Sequence, residues 1–147
     1  MKSFEIKQVN SSDIEAMEEI AKVCCESNLA DGIGSEVDAY LDEMKATWNG
    51  DYILVMYLDG EAVGVSSDSQ IGDCLTIWVA PENRGKGIED SLLYSMESLY
   101  RHNGVSKASA PVEMSEWLNG LLQRNGYVYR GGDELVKQLR TEPALVV

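Results

Sequence analysis

Val79-Ala80-Pro81-Glu82-Asn83-Arg84-Gly85-Lys86-Gly87-Ile88-Glu89 is the stretch on which the fold turns. Ahead of it, Leu75-Thr76-Ile77-Trp78-Val79 is an apolar run of strand length. Behind it, Leu92, Leu93, Met96, Leu99 and Tyr100 recur at helical spacing. A glycine-rich turn that opens a helix presents backbone N–H groups with no intrahelical partner, a ready site for an anion. Gly85 and Gly87 carry no Cβ, so a phosphate can approach the main chain closely. Arg84 and Lys86 bring two positive charges to the same turn. The stretch therefore predicts a diphosphate cradle and a phosphate-bearing cofactor.

The spacing excludes two common cradles. There is no G-x-x-x-x-G-K-[ST] loop for a nucleoside triphosphate, and no G-x-G-x-x-G for a Rossmann dinucleotide site. The run instead resembles motif A of the GCN5-related N-acetyltransferase (GNAT) family, V-x-P-x-x-R-G-x-G-[IV]-[GA]. Val79, Pro81, Arg84, Gly85, Gly87 and Ile88 stand at its matching positions. A second landmark, Leu121-Leu122-Gln123-Arg124-Asn125-Gly126-Tyr127, looks like the family's later helix ending in Gly-Phe or Gly-Tyr. The likeness spans Phe4 to about Leu139.

Working outward, Phe4 to Val9 alternates apolar and polar residues, as a half-buried strand does. Ser12-Asp13-Ile14-Glu15 has the form of a capping box before a helix through Met17, Ile20, Ala21 and Cys24. Ser35-Glu36-Val37-Asp38 opens a second helix, with Val37, Tyr40, Leu41, Met44 and Trp48 on one face and Gly50 ending it. Tyr52 to Leu58 and Ala62 to Ser67 flank Asp59-Gly60, a strong hairpin signal. After the cradle helix come a short strand (Val105 to Ala110), a helix (Ser115 to Arg124) and a hairpin around Gly131-Gly132-Asp133. This order predicts an α/β (α+β) fold: a mixed, mostly antiparallel sheet of about seven strands with helices on both faces. It is also the order the resemblance implies. One domain over residues 1–140 and a tail over 141–147 are expected for a chain of 147 residues.

Composition narrows the class. No apolar stretch nears the ~20 residues of a membrane span, and the first residues show no secretory h-region. Cys24, Cys25 and Cys74 are odd in number and lack C-x-x-C spacing, which speaks for a reducing cytoplasm and against zinc. Net charge is −13, with 15 acidic and 4 basic residues in 1–70 against 10 and 8 in 71–147. Such a chain repels nucleic acid and anionic membranes. The acidic half suits a cationic amine acceptor. Most of these charges also have a plain reading as a solvated surface.

The resemblance implies acetyl-CoA as co-substrate and transfer of its acetyl group to an amine of a small molecule or a protein. Cofactor contacts fall on Trp78, Val79, Arg84, Gly85, Lys86, Gly87, Ile88 and Glu89, and on Ser115 at the pantetheine arm. A β-bulge near the end of the fourth strand would turn the Val79 N–H toward the thioester carbonyl. Asp73, or Glu113, would act as base through a water. Ser115 also reads as a helix N-cap, and Asp73 and Glu113 as surface carboxylates.

Two positions depart from the family pattern. Glu89 stands where Gly or Ala is usual, and Leu122 where many members place a general-acid Tyr. These departures favour an alternative: a lapsed member retained as a binding or assembly module, with a homo-oligomer or protein partner. A nucleic-acid mimic resting on charge alone ranks below both.

Overall fold

The computed structural model describes residues 3–34, 36–48, 52–68, 75–111 and 116–139. In chain order the elements are β1 (Phe4–Val9), α1 (Ile14–Ala30), α2 (Val37–Thr47), β2 (Tyr52–Leu58), β3 (Glu61–Asp68), β4 (Leu75–Val79), a 3-10 turn (Pro81–Asn83), α3 (Ile88–His102), β5 (Lys107–Pro111), α4 (Glu116–Arg124), β6 (Val128–Arg130) and β7 (Glu134–Gln138). The seven strands form two antiparallel sheets, β1-β2-β3-β4 and β5-β7-β6. Every described pairing is antiparallel, and β4 and β5 lie against each other with no ladder between them, so the seven strands fall into two sheets.

Strand alternation sorts the core into two layers. Ile53 and Val55 of β2 and Val65 of β3 face α1 and α2, packing with Met17, Ile20, Cys24, Leu41 and Met44. Their neighbours Leu54 and Met56, with Leu75, Ile77 and Val79 of β4, face α3 and α4, and Val63 joins them because the β2–β3 register shift falls at it. Helices therefore cover both faces, as the sequence order predicts.

Local chemistry moved some boundaries. Asp13, not Ser12, is the N-cap of α1, and its carboxylate accepts from Ala16 N–H at 3.1 Å. Aspartate is as good a cap as serine, and it sits one residue nearer the first buried turn. Glu36 caps α2 with no side-chain bond, and Trp48 closes that helix. Gly50 and Ser35 lie outside the described residues.

Gly64 on β3 sets the height of α3 above the sheet. A Cβ there would stand 2.7 Å from Leu92 Cδ1 and 3.1 Å from Ile88 Cγ2, both on fully packed side chains. Gly64 is the register partner of Val79, so the first turn of α3 rests on the end of β4. Gly64→Ala is expected to cost about 1–3 kcal/mol by overpacking. Urea unfolding checks this, and an unchanged midpoint would contradict the close seating of α3.

Candidate active site

The cradle begins where β4 ends. Pro81 starts the 3-10 turn, and Gly85 and Gly87 follow in the left-handed region at φ 78° and 84°. No side chain but hydrogen suits that conformation without strain. Gly87 is the N-cap of α3 and, like Gly85 and Lys86, is exposed. A Cβ at Gly85 or Gly87 would meet nothing within 4 Å, so open space lies before both residues.

One anionic oxygen already sits in this turn. Glu89 Oε1 accepts from Gly85 N–H at 2.9 Å. The residue is only 3% exposed, and its buried Oε2 has no hydrogen-bond partner among the described residues. Glu89 thus folds back onto the turn from the first turn of its own helix. Asp90, beside it, accepts from Asn125 Nδ2 at 3.0 Å and lies 3.6 Å from Arg124.

The Arg84 guanidinium is engaged by the end of α1: it forms a bidentate pair with Asp31 at 3.2 Å and donates to Ser27 O at 3.0 Å and Ser27 Oγ at 2.9 Å. Its Nε donates to Val79 O at 3.2 Å, and the group stacks 4.1 Å from the Trp117 ring centre. With side chains only 16% and 13% exposed, Arg84 and Asp31 form a nearly buried ion pair. The arginine ties β4, the end of α1 and α4 together, leaving Lys86 as the turn's own unburied cation.

The edge of β4 differs from expectation too. Ladder pairing from Gly64↔Val79 to Asp68↔Leu75 runs in unbroken register, and the shift in this sheet falls between Met56 and Tyr57 of β2. Among the described residues the β3–β4 ladder shows no register shift on β4. Ala80 N–H bonds back to Val63 O, so by antiparallel alternation the Val79 N–H points away from β3. There it donates to Ser27 Oγ at 3.3 Å. The amide expected to meet a carbonyl already has an acceptor.

Along that edge runs a cleft of about 240 Å³, lined by Ser27, Asn28, Asp31, Ile33, Tyr40, Thr76, Ile77, Trp78 and Leu118. Trp78 stacks on Trp48 with ring centres 5.4 Å apart. Burial pushes the Tyr40 phenol well above its ordinary range, and the neighbouring Cys24 pushes it the same way. Burial likewise raises the Cys24 thiol, so that sulfur stays protonated and inert. A second cleft, of about 290 Å³, lies on the far side of α1, where Glu19, Glu26, Glu61 and Glu82 make its rim acidic.

Of the other expected site residues, Val79 and Ile88 have buried side chains, so only their backbone can face a ligand. Asp73, Glu113, Ser115 and Cys74 lie outside the described residues. Leu122 is buried in the core of α4, with no hydroxyl at that place. Tyr127 is buried as well, donating to Glu97 Oε2 at 2.8 Å; burial and that carboxylate push its phenol far up. His102 is exposed at the end of α3.

Known proteins share the arrangement of strands and helices that carries this turn. The sequence profile of the acetyltransferase (GNAT) family fits residues 14–127. The chain belongs to that family. PaiA N-acetyltransferase of Thermoplasma acidophilum, solved with coenzyme A, superposes with a TM-score of 0.73 at 20% identity over 92% of this chain and 99% of that one. A GNAT-family acetyltransferase of Staphylococcus aureus Mu50 gives 0.71 at 14% identity over 94% and 100%. yncA of Salmonella typhimurium, solved with acetyl-CoA, gives 0.63 at 20% identity over 96% of each chain. At these identities the likeness establishes a shared GNAT fold. No curated protein matches the chain significantly. Among the described residues of this GNAT protein, no helix is long and apolar enough to cross a membrane.

Sequence reasoning passed over Ser27, Asp31 and Trp117. Ser27 and Asp31 meet Arg84 across more than fifty residues of chain. The available signal was the arginine itself: a guanidinium beside a helix N-terminus needs a carboxylate from elsewhere, and the first half of the chain is rich in them.

Proposed function

We propose that this GNAT protein is an acetyl-CoA-dependent N-acetyltransferase acting on an amine of a small molecule or a protein. The carrying observation is the carboxylate oxygen on Gly85 N–H. On this reading it holds the place of a phosphate oxygen: the Gly85 amide of the turn takes an acceptor with negative charge, which a diphosphate also offers. The residues fit the cofactor's diphosphate in their backbone, with left-handed glycines, open space before them and a helix N-terminus behind. They fit it poorly in one side chain, because Glu89 must leave the turn.

On this reading the amides of residues 85–89 hold the diphosphate and Lys86 adds its charge. Trp78 and Val79 border the pantetheine arm, and Ser115, just ahead of α4, meets it. Bound acetyl-CoA supplies an activated acetyl group: its C–S bond breaks as the C–N bond forms, and the proton released from nitrogen ends on sulfur. The chain's own part is to orient the partners and exclude water. Asp73, just ahead of β4 in sequence, takes the proton from the acceptor's ammonium through a water. The acidic first half of the chain favours a cationic acceptor.

A second reading, a lapsed member serving as a binding module, is favoured by the same carboxylate and by Ser27 on Val79 N–H. Calorimetric titration with acetyl-CoA separates the two. Micromolar binding, abolished in Gly87→Glu with the fold intact by circular dichroism, supports the transferase. No heat at millimolar cofactor supports the module.

A further inference from the structure

We propose that the cleft of about 290 Å³ on the far side of α1 binds a small alkyl diammonium ion. It shares no lining residue with the cleft along β4, and the proposal does not rest on the transferase reading. Three parts of the chain build it. One face of α1 supplies Glu19, Lys22, Val23 and Glu26, at the spacing i, i+3, i+4 and i+7. The β2–β3 hairpin supplies Glu61 and the start of β3, and the 3-10 turn supplies Glu82 and Asn83.

Acidic side chains on a surface ordinarily mean no more than a solvated face. Asn83 sets this cleft apart. The residue is only 8% exposed, and it lines the cleft. Its backbone N–H is taken up by Ala80 O at 2.9 Å. Its side-chain amide has no hydrogen-bond partner among the described residues. Asparagine in a turn usually spends that amide on nearby backbone, and a buried polar group without a partner is costly. What exposure Asn83 keeps opens on the cleft, so a ligand there supplies the missing partner.

The charges say what kind of ligand fits. Four carboxylates and the single ammonium of Lys22 border the cleft, and none of them forms an ion pair among the described residues. An entering cation relieves their mutual repulsion. A metal ion needs several oxygens converging on one point, and no group of three or more such side chains among the described residues could hold one. The negative charge is spread along the walls instead, which suits positive charges held apart on a chain. Buried Val23, Val63 and Ala80 give the cleft an apolar floor for the methylenes between them. The ammonium groups have only donors to offer, and the rim carboxylates and Asn83 Oδ1 accept them.

The test is nuclear magnetic resonance of the 15N-labelled full chain, titrated with 1,4-diaminobutane in the absence of acetyl-CoA. Saturable shifts are expected in the Asn83 side-chain amide and in the backbone amides of Gly60 and Glu82, with the Trp78 indole unmoved. Asn83→Ala is expected to weaken binding about tenfold, the loss of one hydrogen bond to a charged group. Asn83→Asp, which keeps an acceptor and adds a charge, binds more tightly; opposite effects at one position do not come from damage to the turn. 1,4-Butanediol, the same chain without charge, leaves the spectrum unchanged. Shifts centred on Trp78, a non-saturating drift over all acidic residues, or equal affinity in Asn83→Ala would each overturn the proposal. So would magnesium chloride producing the same shifts, since the cleft would then hold counter-ions of any kind. Should Asn83→Ala not fold, the double variant Glu26→Gln with Glu61→Gln carries the measurement, and undiminished binding there overturns the proposal equally.

Discussion

Arg84→Ala is expected to lower the melting temperature by about 6–12 °C, a loss of roughly 3 kcal/mol, while acetyl-CoA affinity changes less than about threefold. The size follows from what the alanine leaves behind. Asp31, only 13% exposed on its side chain, loses its bidentate partner. Ser27 O, Ser27 Oγ and Val79 O lose a donor each, and the Trp117 ring loses its stacked cation. Removing one half of a nearly buried pair is far more damaging than never having had the pair, because the remaining charge stays desolvated. Arg84→Lys recovers little, since an ammonium cannot span Asp31, Val79 O and the indole face together. Asp31→Asn combined with Arg84→Ala is expected to cost less than the sum of the two single changes. The opposite pattern, a stable variant with ten-fold weaker cofactor binding, would return Arg84 to the phosphate-binding role the motif suggests.

That contrast shows what the sequence could and could not convey. The β4-turn-α3 unit was legible because it is local. Strand period, glycines and helix period lie within about twenty-five consecutive residues, and each dictates its own stretch of backbone. The β2–β3 hairpin was legible from Asp59-Gly60 for the same reason, and both residues take positive φ. The division of the strands into two sheets was not, because nothing in β4 or β5 alone says that the two fail to pair. The direction of Arg84 was equally hidden. A motif fixes where an arginine sits, whereas its direction depends on Asp31 and Ser27 from α1 and Trp117 from α4, all remote in sequence. Glu89 illustrates the same limit at short range. Its place at the second residue of α3 is plain, yet whether it turns outward or back onto Gly85 depends on how closely Gly64 lets the helix sit.

Glu89→Ala is expected to tighten acetyl-CoA binding by about 10- to 100-fold, or roughly 1.4–2.8 kcal/mol. Two costs of binding vanish together in that variant. The diphosphate no longer has to displace a carboxylate oxygen from Gly85 N–H, and it no longer approaches a buried negative charge. Like charges a few ångströms apart repel by several kcal/mol in a partly buried site, so even the upper end of the range leaves much of that repulsion screened. Glu89→Gln divides the two effects. The amide oxygen can still accept from Gly85 N–H, so the turn stays occupied, while the charge is gone. An affinity for Glu89→Gln midway between wild type and Glu89→Ala would assign part of the gain to charge and part to occupancy. The unpartnered Oε2 argues that this carboxylate does not belong to an optimised resting network, because an oxygen satisfied by nothing is the easiest to move. Calorimetry at two salt concentrations adds a check, since the charge contribution shrinks with ionic strength and the occupancy contribution does not. If both variants bind acetyl-CoA no better than wild type, Glu89 does not oppose the ligand, and the weak fit of the turn has another source.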